Sequence, residues 1–152
     1  MELTGTAVAA DLDGLIGAFL RAVSFAEGER PGYDDIPGLF VAGGLLTRAV
    51  SGAPEIMTVD GFIAPRRAAF DAGDLTSFEE YEIAQVTRAF GNVAHRFSSY
   101  GKRGVTRGML FESVGMISTQ FVRTPDGWRI SAMAWDDERP GLRVPFRYRP
   151  TV

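Results

Sequence analysis

The chain has no cysteine in its 152 residues. Disulfides, thiolate nucleophiles and cysteine-zinc sites are therefore excluded. It has one histidine, His95, too few for the multi-histidine cluster of a typical transition-metal site, so no metal site is expected. No stretch approaches the roughly 20 apolar residues that span a bilayer, so no membrane partner is expected. Basic excess is also missing. Sixteen Lys and Arg stand against 19 Asp and Glu, a net charge of −3. Nothing there favours neutralising phosphates, which argues against a nucleic-acid partner. The start, "MELTGTAVAADLDG", has no basic segment before an apolar run and does not read as a secretory signal. A cytoplasmic location is the default expectation. Glycine is abundant, at 18 residues, but neither a P-loop nor a GxGxxG pattern occurs at a strand-to-helix junction. The glycines read as turns and bent strands.

What is present is an ordinary globular balance, 45% apolar and 23% charged residues. The length suits one domain over 1–152. Residues 11–25, "DLDGLIGAFLRAVSF", place Leu12, Leu15, Ile16, Phe19, Leu20 and Val23 on one helical stripe. Asp11 and Asp13 sit near its expected start, where acids suit the helix dipole. A breaker-rich link with one helical turn near Asp34–Ile36 follows, then a short strand around Leu45–Val50. Asp60 is the expected N-cap of a second helix, interrupted or delayed by Pro65.

From Phe78 the pattern changes to four strand candidates, 78–90, 92–100, 109–123 and 127–137. "TPDG" between the last two is a hairpin turn signal. Two helices followed by an antiparallel meander is an α+β order. The tail 139–152, with three prolines, reads as an irregular arm.

Two stretches carry a resemblance. "GNVAHRFSSY" matches a G-x-V-A-x-x-x-x-x-Y strand, and "TPDGWRI" matches a T-x-D-G-W-R-I hairpin. Both resemble the nuclear transport factor 2-like superfamily and, within it, the SnoaL-like group, over residues 8–138. The resemblance implies a cystatin-like roll: a cone-shaped, curved antiparallel sheet covered by the N-terminal helices and enclosing a pocket. It also implies a homodimer through the sheet. Related enzymes include ketosteroid isomerases, scytalone dehydratase, limonene epoxide hydrolase and polyketide cyclases, which work without metals or organic cofactors. No cofactor is therefore expected. Other relatives are modules without chemistry.

On that frame, strand alternation puts Val93, His95, Phe97 and Ser99 on one face and Ala94, Arg96, Ser98 and Tyr100 on the other. The first set is more apolar and fits a cavity wall, which makes His95 the candidate acid–base. Trp135 shares a face with Met133 and Ser131 and is expected to line the ligand site. Trp128 is expected on the opposite face. Of Asp136, Asp137 and Glu138, one aspartate can turn inward, and Asp136 is taken as the candidate. Tyr81 is the candidate oxyanion donor. Arg48 is a candidate partner for an anionic group. Glu80 and Glu82 read as a solvated or interfacial face, and "APRRAAF" and "GKRG" as solvated basic clusters.

The expected function is binding of a small hydrophobic carbonyl or hydroxyl compound. A cofactor-independent isomerase, dehydratase or cyclase activity on it is possible chemistry. The alternative is a non-catalytic ligand-binding or dimerisation module.

Overall fold

The computed structural model describes residues 5–151. Helix α1 (Thr6–Val23) leads into two single-turn helical segments. Strands β1 (Phe40–Arg48) and β2 (Glu55–Thr58) follow, then helix α2 (Val59–Asp71). Four long strands complete the fold: β3 (Leu75–Phe90), β4 (Val93–Thr106), β5 (Met109–Thr124) and β6 (Gly127–Asp137). They form one six-stranded curved sheet in the order β2-β1-β6-β5-β4-β3. The architecture is α+β, as expected. One junction departs from the antiparallel expectation: β1 runs parallel to β6. No helix among the described residues is long and apolar enough to cross a membrane.

Helix α1 buries Leu12, Ile16, Phe19 and Val23 against the sheet, the predicted stripe. It begins earlier than the acids suggested, at Thr6. Asp13 therefore lies inside the helix and faces β4, where its carboxylate accepts from Arg96 Nη1 at 2.7 Å. The second cap also differs. Thr58, not Asp60, caps α2, its hydroxyl accepting the Gly61 N–H at 3.0 Å. Thr58 has the extended backbone a cap requires, which leaves Asp60 in the first turn. Pro65 stays within the helix.

β-Bulges on β6 and β3 decide which side chains face inward. On β6, Ala132 pairs with Gln120 and Ile130 with Phe121, so Ser131 is an extra residue. A bulge shifts alternation by one position. Trp128 and Ile130 thereby join Met133, Trp135 and Asp137 on the helix-covered face, contrary to the expectation for Trp128. On β3, Ile83 is the corresponding extra residue, between Glu82 paired with Tyr100 and Ala84 paired with Ser99. The core fills one half of this face, with Leu12, Ile16, Phe121, Trp128 and Ile130 nearly or fully buried.

Candidate functional site

The other half of the inner face is hollow. A cavity of about 180 Å³ lies between the two helices and strands β1, β3, β4, β5 and β6. Its apolar wall is largely aromatic: Phe19, Phe62, Phe78, Phe111 and Trp135. Phe62 anchors this wall, edge-on to Trp135 with ring centroids 6.0 Å apart and 5.9 Å from Phe19. Into the same space project Glu80, Tyr100, Lys102, Arg48 and Arg66.

Glu80 is held from behind. Its backbone N–H donates to Ser24 Oγ at 3.1 Å, and Ser24 donates to Leu20 O at 2.7 Å, which ties β3 to the end of α1. Among the described residues its carboxyl has no hydrogen bond and no ion pair. Burial pushes its pKa up to about 7, against the lowering influence of Lys102 and Arg66 and with a smaller upward push from Asp137. A carboxyl poised near neutrality in an aromatic cavity suits proton transfer in either direction.

Beside it runs a rank of three register neighbours across the sheet: Tyr100 on β4, Gly115 on β5 and Asp137 on β6. The Tyr100 ring lies across Gly115, where a Cβ would stand only 2.7 Å from Tyr100 Cζ. Glycine leaves the room that lets the phenol reach β6. There its hydroxyl donates to the Asp137 carboxylate and lies 3.0 Å from Asp136 O. Lys102 Nζ is 3.1 Å from the same Asp137 Oδ1. Burial raises the Tyr100 pKa, with further upward pushes from the Asp137 hydrogen bond and nearby carboxylates, so the phenol stays protonated.

Arg66, on α2, stacks its guanidinium carbon 3.7 Å from the Phe62 ring centroid and donates from Nη1 to Phe62 O at 2.8 Å. Burial lowers its pKa, and neighbouring Arg48 adds to that effect against the opposing pull of Tyr33, Glu80 and Glu55. Arg48 is the register partner of Trp135 across the parallel junction.

Of the residues proposed from sequence, Trp135 and Arg48 line this cavity. Met133 is inward and 3% exposed, but it belongs to the packed core and touches only a minor void. The others lie elsewhere. His95 is exposed on the outer face, between Arg88 and Gln120 in register. Tyr81 is on the same outer face, 46% exposed and laid across Gly101. Phe97 and Ser99 face outward too, beneath the C-terminal arm. The Phe97 ring is edge-on to Tyr148 at 5.6 Å, and Ser99 Oγ donates to Tyr148 O at 2.6 Å. Asp136 turns outward and pairs with Arg139 at 2.7 Å, while Asp137 is the inward aspartate.

The corrections on β4 share one cause. The outer face of β4 carries the more apolar set, while the inner face carries Arg96, Tyr100 and Lys102. The inner polar groups are offset by partners that single-strand alternation does not show. Arg96, 4% exposed, is gripped by both Glu82 oxygens at 3.0 and 2.6 Å and by Asp13. The usable signal was the cross-strand match of Glu80 and Glu82 with Lys102 and Arg96, together with Gly115 at the rank where an inward ring needs room.

No protein-family model matches the chain, and no curated protein matches it. Solved structures do. A Novosphingobium aromaticivorans protein, provisionally named an aromatic ring hydroxylase, superposes with a TM-score of 0.75 at 16% identity. The match covers 91% of this chain and 94% of that one. A nuclear transport factor 2-like superfamily protein from Salmonella enterica superposes at 0.70, with 15% identity over 88% and 93% of the two chains. The chain has the nuclear transport factor 2-like fold. A second Novosphingobium aromaticivorans protein, of that type and with a cystatin-like fold, superposes at 0.62 with 17% identity. It covers 85% of this chain and 80% of its own. The fold hosts unlike functions, so chemistry has to be argued from the cavity.

Proposed function

We propose that this nuclear transport factor 2-like protein binds a small ring compound bearing a carbonyl or hydroxyl group, with Glu80 as its general acid–base. One observation carries the reading: a carboxyl without an ion-pair partner among the described residues, pushed to about pKa 7, facing an aromatic cavity. An engineered cavity of about 150 Å³ accepts benzene, so about 180 Å³ suits a single substituted ring. The ring would stack on Trp135 and Phe62. Glu80 would take a proton from the carbon between the carbonyl and a neighbouring double bond and return it to the far carbon of that double bond, two positions along, as isomerisation requires. Alternatively it would take the proton next to the carbonyl and deliver it to a hydroxyl departing from the adjacent carbon as water, as dehydration requires. Lys102 would offset charge developing on the substrate oxygen, held in place by Asp137 and Tyr100. These steps need no cofactor. They replace His95 with Glu80 while keeping the reaction class that the SnoaL-like resemblance suggests.

The test is exchange of the α-protons of cyclohexanone and phenylacetone in deuterium oxide, followed by proton NMR. The protein is expected to accelerate exchange, and Glu80→Gln to abolish the acceleration while His95→Ala keeps it. Acceleration that survives Glu80→Gln, or none in the unaltered protein, would sink the acid–base role.

A further inference from the structure

Arg48, Arg66 and Lys102 line the cavity, and Arg96 is buried beside it. Two of them are matched. Arg96 is held by Glu82 and Asp13, and Lys102 by Asp137. The other two are not. Among the described residues, neither Arg48 nor Arg66 makes an ion pair. Arg66 spends a donor on its own helix, at Phe62 O, which leaves the rest of its guanidinium fork free. Glu80, the acid lining the same cavity, is not within ion-pair distance of either. Glu55, the register partner of Arg48 on β2, is exposed and pairs with neither.

Both arginines line the cavity and neither is fully exposed. Burial lowers the Arg66 pKa, and repulsion from Arg48 across the same space lowers it further. A fold that pairs its remaining inward cations but leaves two together at an aromatic cavity has an excess of positive charge there. A guanidinium fork matches a carboxylate in shape and charge. The aromatic ladder Trp135–Phe62–Arg66 fixes one fork relative to the ring-binding wall.

We propose that the cavity takes an anionic ligand, a single-ring carboxylate whose carboxylate group sits between Arg48 and Arg66 and whose ring lies against Phe62 and Trp135. The proposal rests on the reading that the cavity binds a small ring compound, and it does not depend on acid–base work by Glu80.

Isothermal titration with benzoate and with benzamide tests it. The two probes have nearly the same shape and differ in charge. Benzoate is expected to bind at least about tenfold more tightly than benzamide, as charge-assisted hydrogen bonds would give. Arg48→Gln and Arg66→Gln should each remove most of that preference, with the near-ultraviolet circular dichroism of each variant unchanged to report that the fold is intact. Equal affinities, tighter benzamide binding, or no benzoate binding at millimolar concentration would overturn the proposal. So would a benzoate preference that survives both substitutions. Benzoate has no exchangeable α-proton, so its binding succeeds or fails separately from the proton-exchange assay.

Discussion

Replacing Glu80 by Gln should change how stability depends on pH, and the sign follows from its surroundings. The Glu80 carboxyl has an ordinary pKa of 4.5 when exposed and about 7 in the fold, because burial penalises its charged form. The folded protein therefore holds this proton more tightly than the unfolded chain. The stabilisation linked to that proton is fully present below about pH 4.5 and is lost as pH rises through about 7. A rise from 4.5 to about 7 corresponds to roughly 3–3.5 kcal/mol over the full titration. Glutamine keeps the shape but cannot ionise. Urea denaturation of both proteins at about pH 5 and about pH 8.5 isolates the effect, because every other titrating group is common to them. The unaltered protein should lose roughly 2–3 kcal/mol more than Glu80→Gln across that interval. The absolute stability of the variant carries its own amide hydrogen-bonding cost, so the difference in slope is the informative quantity. Parallel pH profiles would refute the claim that this carboxyl is held near neutrality by burial.

Arg96→Met should cost about 3 kcal/mol in chemical denaturation, because Glu82 and Asp13 lose the cation that ties α1 to the sheet. A loss within experimental error would mean the triad is replaceable by packing alone. Gly115→Ala should cost about 3 kcal/mol or more, because the new methyl would overlap the Asp136 backbone carbonyl on β6 as well as the Tyr100 ring. The same change should alter the near-ultraviolet tyrosine dichroism, and an unchanged spectrum would argue against the cross-strand rank. The homodimer expected through the sheet would use the outer face, where Leu45, Ile56 and Phe97 stay partly exposed. Light scattering should then give twice the chain mass, and Leu45→Glu should halve it. A monomeric unaltered protein would remove that expectation.

The fold was legible because its signals are local. The stripe from Leu12 to Val23 declares one buried helix face, and "TPDG" marks the hairpin that aligns β5 with β6. Trp135 was legible through the resemblance, which turns its strand face inward, and Arg48 as a lone cation on the short early strand. Inner and outer faces of β3 and β4 were not legible. Apolar content alone puts Phe97 inside and Arg96 outside, and the structure does the reverse. What decides the matter is pairing between strands, Glu82 with Arg96 and Asp137 with Tyr100, and no single strand carries that information. The bulges at Ile83 and Ser131 add to this, since one extra residue inverts alternation downstream without marking the composition.

The parallel junction between β1 and β6 also orders events in time. The strand carrying Arg48 is made early, and its register partner Trp135 stands near the end of the last strand. The wall that bears both can close only when nearly the whole chain is available, because that pairing spans most of the sequence. Until then α1, β1 and α2 have no finished sheet on which to bury Phe19, Leu46 and Phe62. The cavity is thus a late product of folding, and a chain that stops before Trp135 would present those apolar faces to chaperones or to other copies of itself.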